Sequence, residues 1–354
     1  MGSCMPRFRM FARGYATASS GSPFSAHTMS PFRLFDRNAK RIQKDRAALR
    51  DSGERSRTVD YVREEVADRL FERVLDIKRR FPHILDLGAG SGHFTKLLDS
   101  DVTDRVTMLD MSCRCVLPWL ARTYAKCPVQ SLNRDLDSEF PLPPARLHID
   151  EENLLEAIPA NSQDAVMSCL GLHWVNDLPG ALIQIRESLK PDGVFLGAMF
   201  GGDTLFELRT ALQLAQVERE GGISPRVSPM TDTRDVSNLM GRAGFTLLTV
   251  DTDDVRVSYP SIWELMEDLR DMGESNAIAS RNTFIKRDTL IAADAIYKGD
   301  VENGTVPATF QIIYMVRQAP IGYTDANKAM CYRLDGNQHP TNQSPSKEVR
   351  AKRI

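Results

Sequence analysis

Leu85-Asp86-Leu87-Gly88-Ala89-Gly90-Ser91-Gly92 decides the fold of this chain. It completes the apolar run that starts at Ile84, which reads as a buried strand. Gly88, Gly90 and Gly92 then supply a tight turn whose backbone can lie close to a ligand. The turn is not the dinucleotide fingerprint, because His93 stands where the third glycine of that pattern would fall. Nor is it a phosphate-binding loop, since no Gly-Lys-Ser/Thr follows. Two acids sharpen the signal. Asp86 precedes the turn, where a carboxylate can accept from an ammonium group. Asp110 closes the next apolar run, Val106–Leu109, where an acid can take both hydroxyls of a ribose. An acid at each place without a phosphate-binding device suits a nucleoside joined to an amino acid, which describes S-adenosyl-L-methionine.

Working outward, strands and helices alternate. Val62, Val66, Leu70 and Val74 place an amphipathic helix over residues 58–80. A helix through Leu98 is expected after the glycine turn, and another over Leu117–Ala125. Strands are expected at Leu147–Ile149, Ala165–Leu170 and Val194–Phe200, with a helix at Pro179–Leu189 and a turn at Lys190–Gly193. Ser131–Arg146, with Pro141, Pro143 and Pro144, reads as a loop-like insert. Thr204 and Glu207 have the spacing of a capping box. Further helices are expected at Asp235–Ala243, Ser261–Asp271 and Arg281–Tyr297, and strands at Phe245–Val250 and Phe310–Val316. The order predicts an α/β domain over residues 58–332, built on a mostly parallel sheet with its site at the carboxyl edge of the strands.

The charge is nearly balanced, 45 Lys+Arg against 47 Asp+Glu in 354 residues, which gives no electrostatic case for a nucleic-acid partner. The balance hides an asymmetry. Residues 1–35 hold four arginines, eight Ser/Thr and no acid, the composition of a mitochondrial transit peptide. Residues 36–57 continue the basic character and read as a linker, and the polar stretch 333–354 reads as a disordered tail. No apolar run is long enough to span a bilayer. Cys113 and Cys115 lack zinc-knuckle spacing, and the cysteine pattern suits a reducing compartment.

The pattern resembles the class I S-adenosylmethionine-dependent methyltransferase fold, a Rossmann-like, seven-stranded, mostly parallel sheet with a terminal antiparallel pair. Residues 85–92 look like its first motif, Leu109-Asp110-Met111-Ser112 its second and Asp150-Glu151 its third, where the acid faces the adenine amino group. The resemblance implies cofactor-binding roles for Asp86, Gly88, Gly90, Gly92, Asp110, Met111, Asp150 and Glu151. Longer strings are more specific. Leu172-His173-Trp174-Val175-Asn176-Asp177-Leu178-Pro179, Gly201-Gly202-Asp203-Thr204-Leu205, Met272-Gly273-Glu274-Ser275-Asn276 and Val306-Pro307-Ala308-Thr309 resemble the mitochondrial complex I assembly factor 5 family. That resemblance implies a protein-arginine hydroxylase acting on a core iron–sulfur subunit of NADH:ubiquinone oxidoreductase, at the matrix side of the inner membrane, alongside other assembly factors. Hydroxylation needs an oxidant and an electron source, and no motif here supplies them.

His173 and Trp174 follow the fourth strand, where this fold places the reacting group. An aromatic face there favours a cation, and a histidine can act as a base near neutral pH. A structural His–Trp pair is the alternative. His148-Ile149-Asp150 has the His-x-Asp spacing of an iron site with His173 as a distal third, but Asp150 already has a role in a nucleotide-binding sheet, so no metal site is assigned. Glu264, Glu267, Asp268, Asp271 and Glu274 form an acidic stretch that could receive an arginine-bearing partner or simply be solvated helix charge. Three functions remain open: an arginine hydroxylase in complex I assembly, a methyltransferase acting on a small molecule or protein, and a non-catalytic assembly chaperone.

Overall fold

Side chains alternate in direction along a strand, so a strand that is apolar on both faces must lie between two layers of helices. The computed structural model shows this directly; it describes residues 33–112, 137–282, 284–299, 305–317 and 348–350. On β1 (Phe81–Leu87), Ile84 faces one core and Leu85 and Leu87 the other. On β5 (Leu189–Phe200), Leu196 and Ala198 face the first core and Phe195 and Met199 the second. The remaining strands are β2 (Thr103–Asp110), β3 (Ala145–His148), β4 (Gln163–Cys169), β6 (Leu248–Tyr259), β7 (Val306–Arg317) and β8 (Glu348–Arg350).

The order across the sheet is β3-β2-β1-β4-β5-β7-β6-β8. The first five strands in that order are parallel, and β7 runs antiparallel to both β5 and β6. This is the expected mostly parallel seven-stranded sheet with an antiparallel pair at its end, extended by the short β8, which lies parallel to β6. Two strands of the reversed pair are longer than their apolar runs, twelve residues each, because they pair along their whole length from Leu248 with Arg317 to Tyr259 with Val306.

The helices are α1 (Arg37–Leu49), α2 (Glu54–Val59), α3 (Tyr61–Asp76), α4 (Leu178–Ser188), α5 (Phe206–Glu220), α6 (Thr233–Arg242), α7 (Ile262–Asp271) and α8 (Arg287–Gly299). The apolar stripe of α3 is buried as its spacing requires, with Val62, Val66, Leu70 and Val74 all in the first core. That core also takes side chains of α5, α7 and α8, while α4 and α6 cover the opposite face.

Several expectations are corrected. The stretch after the glycine turn is a series of turns with a short 3-10 segment at Thr95–Leu97, not a full helix. Lys190–Gly193 lies within β5, at an irregularity in its pairing with β4. The capping box does not form: Thr204 Oγ1 donates to the Gln311 carbonyl, and Glu207 is drawn to Thr309, so β7 takes both groups. Within the expected disordered tail, Glu348–Arg350 pairs as β8. The expected helix at Leu117–Ala125 lies outside the described residues, as does residues 1–32 of the expected transit peptide.

The largest correction concerns residues 35–57. Phe35 bridges to Ile278 and sets its ring edge-on to Trp174 at 5.2 Å, so the fold begins before residue 36. The expected linker is helical. Asp36 caps α1 by accepting from the Ala39 N–H. Arg37, Lys40 and Lys44 fall on one face of that helix, at three- and four-residue intervals.

Candidate functional site

The site sits at the carboxyl edge of the parallel strands, where β1, β2 and β4 end side by side. The glycine turn leaves β1 and is tied to β2: the N–H groups of Gly88 and Ala89 both donate to the Leu109 carbonyl, at 2.7 and 3.0 Å. Gly88 has φ +71°, and a Cβ there would come within 3.0 Å of the Gly171 backbone. Gly92 has φ +80°, and a Cβ there would meet Phe140 at 2.7 Å. Both positions therefore require glycine, for conformation and for space.

Asp86 is fully buried, and burial pushes its carboxyl up to about 7. Thr95 donates to one of its oxygens at 2.6 Å, while Oδ1 is buried without a partner. Asp110 is equally buried but richly bonded. Its Oδ2 accepts from Lys44 Nζ at 2.7 Å and from Gly90 N at 3.0 Å, and its Oδ1 from Ser112 N at 2.7 Å. Burial opposes its charge, but Lys44 and these N–H groups outweigh it and hold the carboxyl below its usual range.

The third-motif acids also meet α1. Asp150 accepts from Glu152 N at 3.0 Å, capping a 3-10 segment, and from Arg37 Nη2 at 2.6 Å. Arg37 reaches Glu151 as well. Of the two acids, Glu151 is the buried one, and it faces the glycine turn: its Oε1 would lie 3.6 Å from a Cβ on Gly88. Met111 is buried, and its carbonyl accepts from His148 Nε2 at 2.9 Å. Among the described residues no group of three or more His, Cys, Asp or Glu side chains is arranged to hold a metal ion.

His173 and Trp174 occupy a buried 3-10 turn beyond β4. Both point at Glu274. The Trp174 indole N–H donates to Glu274 Oε2 at 2.7 Å, and His173 Nε2 lies 3.5 Å from the same oxygen. Lys40 Nζ also reaches Oε2, at 3.0 Å, donates to the Gly273 carbonyl at 2.6 Å and lies 3.5 Å above the Trp174 ring. Arg63 holds the other oxygen of Glu274 at 2.5 Å. Burial disfavours the Glu274 charge, yet Lys40, His173 and Arg63 keep it well below the usual carboxylate range. Burial lowers His173, and it drives Lys40 down to about 7 against the pull of Glu274.

The acidic stretch thus divides. Asp271 binds Arg50, Asp268 accepts from Tyr61, Glu264 accepts from Ser261 and Glu267 faces Arg55. Only Glu274 joins His173 and Trp174. Sequence reasoning named Glu274 among five acids but missed Arg37, Lys40, Lys44 and Arg63. The three-and-four spacing on α1 was the available signal, obscured by the basic residues around it.

Two cavities are lined by these residues. A cradle of about 50 Å³ is lined by Gly88–Ser91, Asp110 and His93, with Lys44, Ala47 and Ala48 of α1 filling one wall. A separate chamber of about 350 Å³ is lined by Trp174, Phe200, Leu208, Glu274, Asn276 and Phe310 among others.

Parallel strands with a reversed β7, a glycine turn and an acid at each of two strand ends define a protein of the methyltransferase fold, and a methyltransferase-domain family model matches residues 59–250. The chain is 47% identical over 291 residues to "Arginine-hydroxylase NDUFAF5, mitochondrial" of Danio rerio, covering 81% of this chain and 83% of that one. It is 45% identical over 306 residues to the Homo sapiens protein of the same name, covering 86% and 82%. It belongs to the NDUFAF5 arginine-hydroxylase family. More distantly, it is 31% identical over 273 residues to a malonyl-[acyl-carrier protein] O-methyltransferase of Halorhodospira halophila, covering 74% and 83%.

Proposed function

We propose that this chain is a mitochondrial, S-adenosylmethionine-binding assembly factor of complex I that hydroxylates an arginine of a core iron–sulfur subunit, at the matrix side of the inner membrane. The observation that carries the reading is family membership across more than four-fifths of the chain, with relatives named as mitochondrial arginine hydroxylases. Among the described residues no helix is long and apolar enough to cross a membrane.

The residues at the cradle fit the cofactor. The bare, buried Oδ1 of Asp86 suits an ammonium group, and the Gly88–Gly92 turn suits the methionine portion. Asp110 would take the ribose, and Asp150, Glu151 and Met111 the adenine. When bound, S-adenosylmethionine supplies a methyl group on a positively charged sulfur. About 50 Å³ of room is well under the ~300 Å³ of a typical ligand pocket, so loading requires α1 to draw back. Lys44 must then release Asp110, and Arg37 must release Asp150 and Glu151.

Two other readings each have an observation behind them. The methyltransferase-domain match and the O-methyltransferase relative favour methyl transfer. The filled cradle favours a chaperone that keeps the fold without turnover. Mass analysis of the candidate subunit after incubation with the protein, S-adenosylmethionine, dioxygen and an electron donor separates all three: a gain of about 16 Da is oxygen and about 14 Da is methyl. A gain of about 16 Da is expected at an arginine. A gain of about 14 Da, or none, overturns the hydroxylase.

A further inference from the structure

The 350 Å³ chamber shares no lining residue with the cradle. Its walls are mostly apolar, including Phe200, Leu208, Leu269 and Phe310. Glu274 is the one carboxylate among its described lining residues, and it sits beside the Trp174 indole. A long aliphatic stem with a cationic, planar head matches such a chamber: the stem covers apolar wall, and the head pairs with a carboxylate while stacking on an aromatic ring.

The molecule already contains a cation in this arrangement. Lys40 Nζ lies against the Trp174 face, Glu274 Oε2 and the Gly273 carbonyl at once. Arg63 stays on the opposite oxygen of Glu274, so the carboxylate is half neutralised before any substrate arrives. The chamber's other charged residues, Arg226 and Arg281, donate to backbone carbonyls at Asn282, Phe284 and Ile278, and as cations they steer a positive head away from themselves.

We propose that Trp174 and Glu274 form the receptor for the guanidinium of the substrate arginine, and that Lys40 of α1 is a resident cation which the arginine displaces from Glu274. This rests on arginine being the substrate, as in the preceding reading. It assigns the chamber as the arginine slot and makes α1 a competitor at the acceptor site. Burial weakens the resident's hold, since desolvation disfavours the charged form of the Lys40 amine even beside Glu274.

Calorimetry on the full chain tests this with three short peptides that differ at one central position: arginine, the neutral isostere citrulline, and lysine. The arginine peptide should bind about tenfold tighter than the citrulline peptide. Lys40→Met keeps the stem over Trp174 and removes the charge, and it should tighten arginine-peptide binding severalfold. Lys40→Arg retains a resident cation and should not tighten it. Glu274→Gln should erase the preference for arginine over citrulline. Thermal melts show which variants are folded, and the Lys40→Arg and Lys40→Met pair, differing in charge at one position, keeps the test decisive if Glu274→Gln unfolds. Equal binding of arginine and citrulline peptides, or no gain from Lys40→Met, overturns the receptor. Arginine that the wild type hydroxylates while the Lys40 and Glu274 variants bind unchanged overturns the receptor and leaves the hydroxylase reading intact. Charge-dependent arginine binding without any mass gain, when dioxygen and an electron donor are supplied, upholds the receptor and overturns that reading.

Discussion

Asp86 and Asp110 are the same residue type at the carboxyl ends of neighbouring parallel strands, and both are fully buried. Their states are opposite. Asp86 has one hydroxyl donor, one bare oxygen and a carboxyl pushed up to about 7. Asp110 has a lysine and two backbone N–H groups and is held below the ordinary range. Burial alone pushes a carboxylate towards neutrality, and only donors on the charged form reverse it. The donor that makes the difference comes from α1, outside the sheet. One acid therefore keeps an oxygen without a donor, and the other is held by three.

The largest test of that contrast is Asp110→Asn. It leaves Lys44 buried beside a neutral amide, and losing one partner of a buried pair costs about 3–5 kcal/mol. Urea unfolding should show a loss of that order, and a loss below ~1 kcal/mol would mean the pair is idle. Lys44→Met should come next. It frees Asp110 and removes a charge from the cradle wall, so S-adenosylmethionine should bind about tenfold tighter by calorimetry. Unchanged affinity would show that α1 is not what limits loading.

The subtlest test is Asp86→Asn, whose effect appears as a pH dependence rather than as a loss at one pH. Between the unfolded value of about 3.9 and the native value of about 7, the native carboxyl holds a proton that the unfolded chain has lost. Wild-type stability should fall as pH rises through that window and level off above it. Asp86→Asn should lack this slope, so its advantage over wild type should grow from pH 4 to pH 7. Parallel melting curves for the two proteins would place Asp86 among ordinary, ionised carboxylates.

Much of this was legible in the sequence because it is local. The Gly88–Gly92 turn needs left-handed backbone, which residue type announces. Val62, Val66, Leu70 and Val74 announce a buried helix face by spacing. The strand-end acids follow from the same order of runs, whereas the reversed β7 was implied by the resemblance to the methyltransferase fold. The capping box at Thr204 failed because β7, about a hundred residues away, offered both groups other partners. Glu274 was visible as one acid of five and as the centre of the Met272–Asn276 string, but nothing local places it beside His173 and Trp174.

The sequence by itself determined the α/β alternation, the glycine cradle and the two acids beside it, because hydrophobic period and backbone permissiveness are properties of neighbouring residues. Only the tertiary structure decided that residues 37–49 are a helix laid across the site. Arg37, Lys40 and Lys44 find their acids at Glu151, Glu274 and Asp110, each more than sixty residues away. A basic run reads as a solvated linker until folding brings those carboxylates within about 3 Å, where the loss of water makes each pairing necessary.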